Sequence, residues 1–209
     1  MQPPAPNSER GGPTEAGLSG YEAVVAVCGG ISAYKTATLV SALVQRGCGV
    51  HVAMTRAARR FVTPLTFEAL TGRRAHTSLW DVADPYDPQH LRLTERADLF
   101  LVAPATANMI GKIAGGLADD LVSTLVLSAA GPVLLAPAMN TRMWQNPIVA
   151  ANVAKLRGLG YQFVDPGSGW LACRTVGPGR MAEPEEILER AVALLRERPP
   201  KSDSVPGKG

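Results

Sequence analysis

Several short segments of this 209-residue chain carry side chains able to do chemistry. Gly29-Gly30-Ile31-Ser32 follows an apolar, β-branched run. Glycines there let backbone approach a ligand closely, and a helix start offers N–H groups to an anion such as a phosphate. The same residues would also make a tight strand-to-helix turn with Ser32 near the helix start, and both readings stand on this segment alone. The spacing is not G-x-G-x-x-G, and the next apolar run ends in Met54-Thr55-Arg56, with no acidic group for a ribose, which disfavours NAD. Thr55-Arg56 is also the one feature that points to an NADP-linked reductase. Pro104-Ala105-Thr106-Ala107-Asn108 sets a hydroxyl and a carboxamide after a third apolar run. Pro137-Ala138-Met139-Asn140-Thr141-Arg142-Met143-Trp144 sets an amide beside Met and Trp after a fourth, a mixture suited to gripping one polar group of a mainly apolar or planar ligand. Helix capping alone would also explain Thr106 and Asn140.

Two further residues could move protons. His90 lies in a polar loop-like stretch, residues 73–93, that is long for a compact domain. An imidazole with an ordinary pKa of about 6.5 is a ready proton acceptor, although a lone loop histidine is more often a surface residue. Cys173 lies in the glycine-rich segment 167–181, which cannot be a regular helix or a central strand and reads as a mobile flap. Nearby Arg174 would favour its thiolate, and an exposed silent thiol is the plain alternative. Glycine hinges would let such a flap close over a substrate and exclude water.

The elements that must position these residues alternate. Strands are expected at residues 23–28, 50–54, 98–103, 133–136 and 161–164, and helices at 31–45, 61–70, 106–114, 117–129, 143–158 and 183–196. Such βαβα alternation predicts a doubly wound α/β sandwich whose ligand sits beyond the carboxyl ends of the strands. Ser32, Thr55, and Thr106 with Asn108 would then converge on one edge of the sheet, which favours a ligand site over three unrelated caps.

Composition agrees with one globular domain: 46% of residues are hydrophobic and 19% charged. Residues 1–20 read as a disordered leader, 21–198 as the ordered body and 199–209 as a disordered tail. A formal charge of +3 is too small to mark a nucleic-acid surface. The most apolar stretch, 121–139, is interrupted by Ser123, Thr124, Ser128 and Gly131-Pro132, so no membrane span is expected. Cys28, Cys48 and Cys173 are too few for a disulfide framework or a four-ligand zinc site and read as reduced thiols of a cytoplasmic protein.

Taken in order, these segments resemble the homo-oligomeric flavin-containing cysteine decarboxylases. The likeness runs from about Ala23 to Met181. It rests on Gly29-Gly30-Ile31-Ser32-Ala33-Tyr34-Lys35, on His90, on Pro104 to Asn108 with Lys112 and Ala118-Asp119-Asp120-Leu121, on the Pro137 to Trp144 run, and on Leu171-Ala172-Cys173 with Gly177-Pro178-Gly179-Arg180-Met181. The resemblance implies a flavodoxin-like, Rossmann-type three-layer sandwich with a parallel sheet, holding FMN between subunits of a trimer or an assembly of trimers. It implies that Gly30, Ile31, Ser32, Thr55, Thr106, Ala107, Asn108 and Met109 hold FMN, with Ala138 beside the ring. His90 then matches the base, Cys173 the general acid, and Asn140 the residue that binds the substrate carboxylate, with Met143 and Ala172 also on the substrate.

The implied reaction is FMN-dependent decarboxylation of phosphopantothenoylcysteine to phosphopantetheine in coenzyme A biosynthesis, with a separate synthetase protein upstream. The flap cysteine favours this redox-neutral outcome over oxidative decarboxylation of a peptide C-terminal cysteine, and His90 with Cys173 argues against a non-catalytic flavin-binding regulatory subunit. Three departures from the family pattern stand out: Cys173-Arg174-Thr175 in place of Cys-Gly-Asp, Gln89-His90 in place of Ser-His, and Met109 in place of Thr.

Overall fold

The computed structural model describes residues 17–79 and 89–201, with residues 89–92 described in backbone alone; the expected leader, up to residue 16, and the tail from residue 202 lie outside the described residues. The chain opens with β1 (Glu22–Val27), α1 (Ala33–Gln45) and β2 (Gly49–Met54). A single 3-10 turn (Ala58–Arg60) then leads to α2 (Pro64–Thr71). Next come α3 (Gln89–Arg96), β3 (Leu99–Ala105), α4 (Ala107–Gly115), α5 (Leu121–Leu127) and β4 (Val133–Pro137). The last part comprises α6 (Thr141–Trp144), α7 (Pro147–Gly158), β5 (Gln162–Phe163), a hairpin of β6 (Gly167–Trp170) and β7 (Val176–Arg180), and α8 (Pro184–Arg196).

Strands β1 to β5 form one parallel sheet in the order 2-1-3-4-5, the flavodoxin-like order. β1, β3 and β4 are apolar along almost their whole length because both faces of the sheet are covered. Val25, Val27, Leu101 and Leu134 face α1, α2 and α8 through Leu39, Leu43, Phe67 and Ile187. Val24, Ala26, Phe100, Val102 and Leu135 face α4, α5 and α7 through Ile110, Leu125 and Leu156. The alternation along each strand thus builds two cores and three layers.

Helix boundaries follow local chemistry. α5 begins at Leu121, four residues later than the helix expected from residue 117, because Asp120 and Ser123 form a reciprocal capping box. The single helix expected over residues 143–158 is two helices. Pro147 has no N–H to continue α6, and Asn146 Oδ1 instead accepts from Ile148 N–H at 2.9 Å to start α7.

The loop expected around His90 is corrected in part: residues 89–96 are helical, and the rest of the expected loop between 80 and 88 lies outside the described residues. Leu93 and Ala97, one turn apart, are buried against the β3 core. This tertiary contact orders as helix the end of a stretch whose polar composition reads as a loop. The packed body also reaches beyond the expected ends. Leu18 is fully buried and donates its N–H to Arg46 O at 2.6 Å, and Lys201 donates its N–H to Asp98 Oδ1 at 2.9 Å. Among the described residues, no helix is long and apolar enough to cross a membrane.

Candidate functional site

The strand order reverses between β1 and β3, and a cavity of about 930 Å³ opens beyond the carboxyl ends of these strands and of β4. This is where an open α/β sheet offers a crevice. Each strand contributes the residues that follow it. β1 brings Cys28, Gly29, Gly30, Ile31 and Ser32, and β2 brings Thr55, Arg56 and Ala57. β3 brings Thr106, Ala107, Asn108 and Met109; β4 brings Ala138, Met139, Asn140 and Met143. The hairpin supplies the remaining wall with Trp170, Leu171, Ala172 and Cys173.

Gly29 is required by packing. A Cβ there would lie 2.3 Å from Ala57 Cβ, so only glycine lets the β1–α1 turn pass against the β2 turn. A Cβ on Gly30 would meet nothing closer than Pro104 Cγ at 3.9 Å, so this glycine faces open cavity. Ser32 is the N-cap of α1 but makes no side-chain cap hydrogen bond, which leaves its hydroxyl to the cavity. Thr55 Oγ1 accepts from Ala58 N–H at 3.1 Å and Thr106 Oγ1 from Met109 N–H at 3.3 Å. Asn140 Oδ1 accepts from Met143 N–H at 2.8 Å, so capping and cavity lining are both realised at Thr106 and Asn140.

The charges around the cavity are mostly neutralised in pairs. Lys35, buried at the start of α1, reaches Glu183 Oε2 at 2.9 Å, and Arg180 reaches Glu183 Oε1 at 2.9 Å. The hydrogen bond from Lys35 holds the Glu183 carboxyl below the usual carboxylate range. Lys112 bridges Asp119 and Asp120 at 2.6 Å each. Burial opposes the Lys112 charge, but the hydrogen bonds to both carboxylates outweigh it and raise its pKa. Arg56 makes no ion pair among the described residues, and so carries uncompensated positive charge at the Ser32–Thr55 end. Cys28 is enclosed, and burial pushes its thiol up to about 12, against the pull of the Thr106 N–H; it is a neutral part of the wall.

The expected flap is a two-stranded antiparallel hairpin. Its base is locked to the residues after β4: Met139 N–H donates to Gly179 O at 2.9 Å, and Thr141 Oγ1 donates to Pro178 O at 2.8 Å. The fit excludes side chains, since a Cβ on Gly177 would lie 2.5 Å from Thr141 Oγ1 and one on Gly179 would lie 2.3 Å from Met139 O. At the tip, Leu171 N–H donates to Thr175 O and Arg174 N–H to Leu171 O, both at 2.9 Å. Cys173 is exposed at this tip, with Sγ 3.1 Å from Thr175 Oγ1.

Thus Gly30, Ile31, Ser32, Thr55, Thr106, Ala107, Asn108, Met109, Ala138, Asn140, Met143, Ala172 and Cys173 all line one cavity. The side chain of His90, at the start of α3, lies outside what is described. Glu183 carried no sequence signal beyond the capping box it forms with Glu186; its link to Lys35, across 148 residues, is visible only in three dimensions.

A family model described as Flavoprotein matches residues 12–196. The chain belongs to the flavoprotein family. Among curated relatives, this flavoprotein is 46% identical over 174 residues to the coenzyme A biosynthesis bifunctional protein CoaBC of Bacillus subtilis (strain 168), covering 83% of this chain and 43% of that protein. The chain therefore spans less than half the length of the curated relatives it matches. Among solved structures, it is similar to a cysteine-to-serine mutant of PPC decarboxylase complexed with pantothenoylaminoethenethiol. The TM-score is 0.76 and the identity 30%, over 85% of this chain and 99% of the other. The FMN-dependent cysteine decarboxylase SpaF gives a TM-score of 0.72 at 31% identity, over 84% and 97%. The relatives are bifunctional single chains, so they do not support the separate synthetase protein expected above.

Proposed function

We propose that this flavoprotein binds FMN in the cavity and decarboxylates phosphopantothenoylcysteine to phosphopantetheine, a step of coenzyme A biosynthesis. The observation that carries the reading is the meeting, in one cavity, of a flavin-sized cradle with Asn140 and Cys173 on its outer wall. The names of the relatives support the substrate and the cofactor: CoaBC, PPC decarboxylase and an FMN-dependent cysteine decarboxylase.

The residues present fit FMN. Gly30 leaves room beside Pro104 and Thr106, the Ser32 hydroxyl is not spent on its own helix, and Arg56 supplies a cation at the same end for a phosphate. Thr55, Thr106, Ala107, Asn108 and Met109 continue this cradle along the strand ends, and Ala138 offers a small apolar surface to a planar ring. Bound there, FMN would take an electron pair from the substrate cysteine moiety, making its carboxylate easy to lose, and later return that pair.

The chain's own residues then divide the remaining work. Asn140 commits Oδ1 to the Met143 N–H, so its amide N–H₂ is the part that holds the substrate carboxylate, with Met143 and Ala172 against the substrate's apolar atoms. Cys173 delivers a proton to the carbon that has lost carbon dioxide. His90 is the proposed base. The hairpin, anchored through Met139 and Thr141, carries Cys173 over the cavity and restricts water.

Ile31, Tyr34, Met143 and Trp170 line the cavity yet are 57%, 60%, 44% and 65% exposed in one chain. Covering them by copies of the same chain supports the reading of a homo-oligomer, a trimer or an assembly of trimers. Three free cysteines support a cytoplasmic setting. The direct test is the visible absorption of the purified protein with identification of any released chromophore. An oxidised flavin spectrum and released FMN are expected; a colourless protein that fails to take up added FMN would contradict the proposal.

A further inference from the structure

The hairpin tip assigns a role to a residue that the reaction so far leaves idle. Arg174 sits between Cys173 and Thr175 with φ of 64°, in the left-handed region that is uncommon for a residue with a side chain. The Leu171–Thr175 and Arg174–Leu171 backbone hydrogen bonds close the turn around it. The side chains on either side of Arg174 are thereby brought together, and Cys173 Sγ lies 3.1 Å from Thr175 Oγ1. Among the described residues, this is the one hydrogen bond that the Cys173 thiol makes.

We propose that Thr175 is a positioning residue for proton delivery by Cys173: its hydroxyl fixes the thiol at the cavity wall and donates a hydrogen bond to the sulfur as the proton leaves. The inference rests on the reading of Cys173 as the acid. In that step the S–H bond breaks and a C–H bond forms at the carbon that lost carbon dioxide. The S–H electron pair stays on sulfur as a thiolate, which regains a proton from solvent. The electron pair that completes the reduction would be supplied by bound FMN, which would have taken it from the substrate.

While Cys173 holds the proton it is to deliver, the contact joins a thiol and a hydroxyl. Once sulfur is anionic, the Thr175 O–H has an ionised acceptor, and such hydrogen bonds are roughly twice as strong as neutral ones. The bond therefore gains strength as charge develops, which is the condition for lowering a barrier rather than only holding a ground state. Threonine suits the position because its hydroxyl can accept from S–H before the transfer and donate to the thiolate after it.

The test compares the FMN-loaded enzyme with its T175V, T175S and C173S variants, reading flavin reduction by substrate and the ratio of unreduced enethiol to saturated product. Valine keeps the branched shape of threonine and lacks the hydroxyl. T175V is expected to reduce flavin at the parental rate but form saturated product about tenfold more slowly, accumulating enethiol, as suits loss of a hydrogen bond to a charged group. T175S is expected to restore the parental ratio. A parental ratio in T175V, or a T175S variant as impaired as T175V, would overturn the inference while C173S still strands enethiol. If C173S itself gave saturated product at the parental rate, the assignment of Cys173 as the acid would fall, and this inference with it.

Discussion

At Asn140 one carboxamide does two jobs with two different atoms. Oδ1 caps α6, and the amide N–H₂ is the group proposed to hold the substrate, so a substitution can separate fold from function. Aspartate caps helices as well as asparagine does. Asn140→Asp is therefore expected to melt like the parent but to lose at least about tenfold in kcat/KM, because a carboxylate meets a carboxylate. Parental turnover would remove Asn140 from the site. The two neighbouring glycines separate in the same way. Gly29→Ala drives a methyl into Ala57 and should lower the melting temperature, whereas Gly30→Ala should leave the melting of the FMN-free protein unchanged and weaken FMN binding. Equal loss of stability in both would contradict this assignment. Far from the cavity, at the opposite end of β2, burial and the adjacent Arg73 push the His51 imidazole down to about 4 from an ordinary 6.5. Glu22 opposes this shift, and His76 and Arg96 add to it. Between those pH values the unfolded chain binds a proton that the folded chain refuses, so stability must fall as pH drops from about 6.5 towards 4. Glu22, held below its usual range chiefly by the Arg73 hydrogen bond, acts in the same direction at lower pH. Thermal melts of the parent and His51→Gln over this window check it: the parent should lose more stability than the variant.

At the scale of elements, the hairpin is held at its base and strained at its tip. Gly179, at φ of 123° and with Met139 O 2.3 Å from where a Cβ would stand, admits no side chain. Arg174 holds a left-handed conformation that β-branched residues resist most. Melting temperatures are expected to fall in the order Arg174→Gly at or above the parent, then Arg174→Val below it; a stable valine variant would contradict the tip geometry. The five sheet strands and their helices were legible in the sequence because apolar runs buried on two faces, followed by glycine or a helix cap, leave few alternatives. Ser32, Thr55, Thr106 and Asn108 were legible as cavity residues for a related reason, since each follows a sheet strand, whereas Ala172 and Cys173 came from the glycine-rich segment and the family resemblance. What escaped was set by contacts between distant segments. α3 depends on Leu93 and Ala97 meeting the core beside β3, and the hairpin depends on Met139 and Thr141 meeting Gly177 to Gly179. Glycine content alone marks such a segment as irregular without revealing the partner that orders it.

At the scale of the whole molecule, the segments after β1, β2, β3 and β4 and the hairpin tip line one cavity at the carboxyl edge of the sheet. Ile31, Tyr34, Met143 and Trp170 line the cavity and are exposed in a single chain. Light scattering on the FMN-loaded protein is expected to give the mass of a trimer or of several trimers, and a monomer at all concentrations would contradict an enclosure built from copies of this chain. In the proposed reaction, one cavity would oxidise a cysteine moiety, release carbon dioxide and return the electrons. The most direct measurement is the mass of the product formed from phosphopantothenoylcysteine by the FMN-loaded protein without added reductant. The expected product has lost carbon dioxide and nothing else. A product that has lost two further hydrogens as well, or a substrate left intact beside bound flavin, would contradict the account.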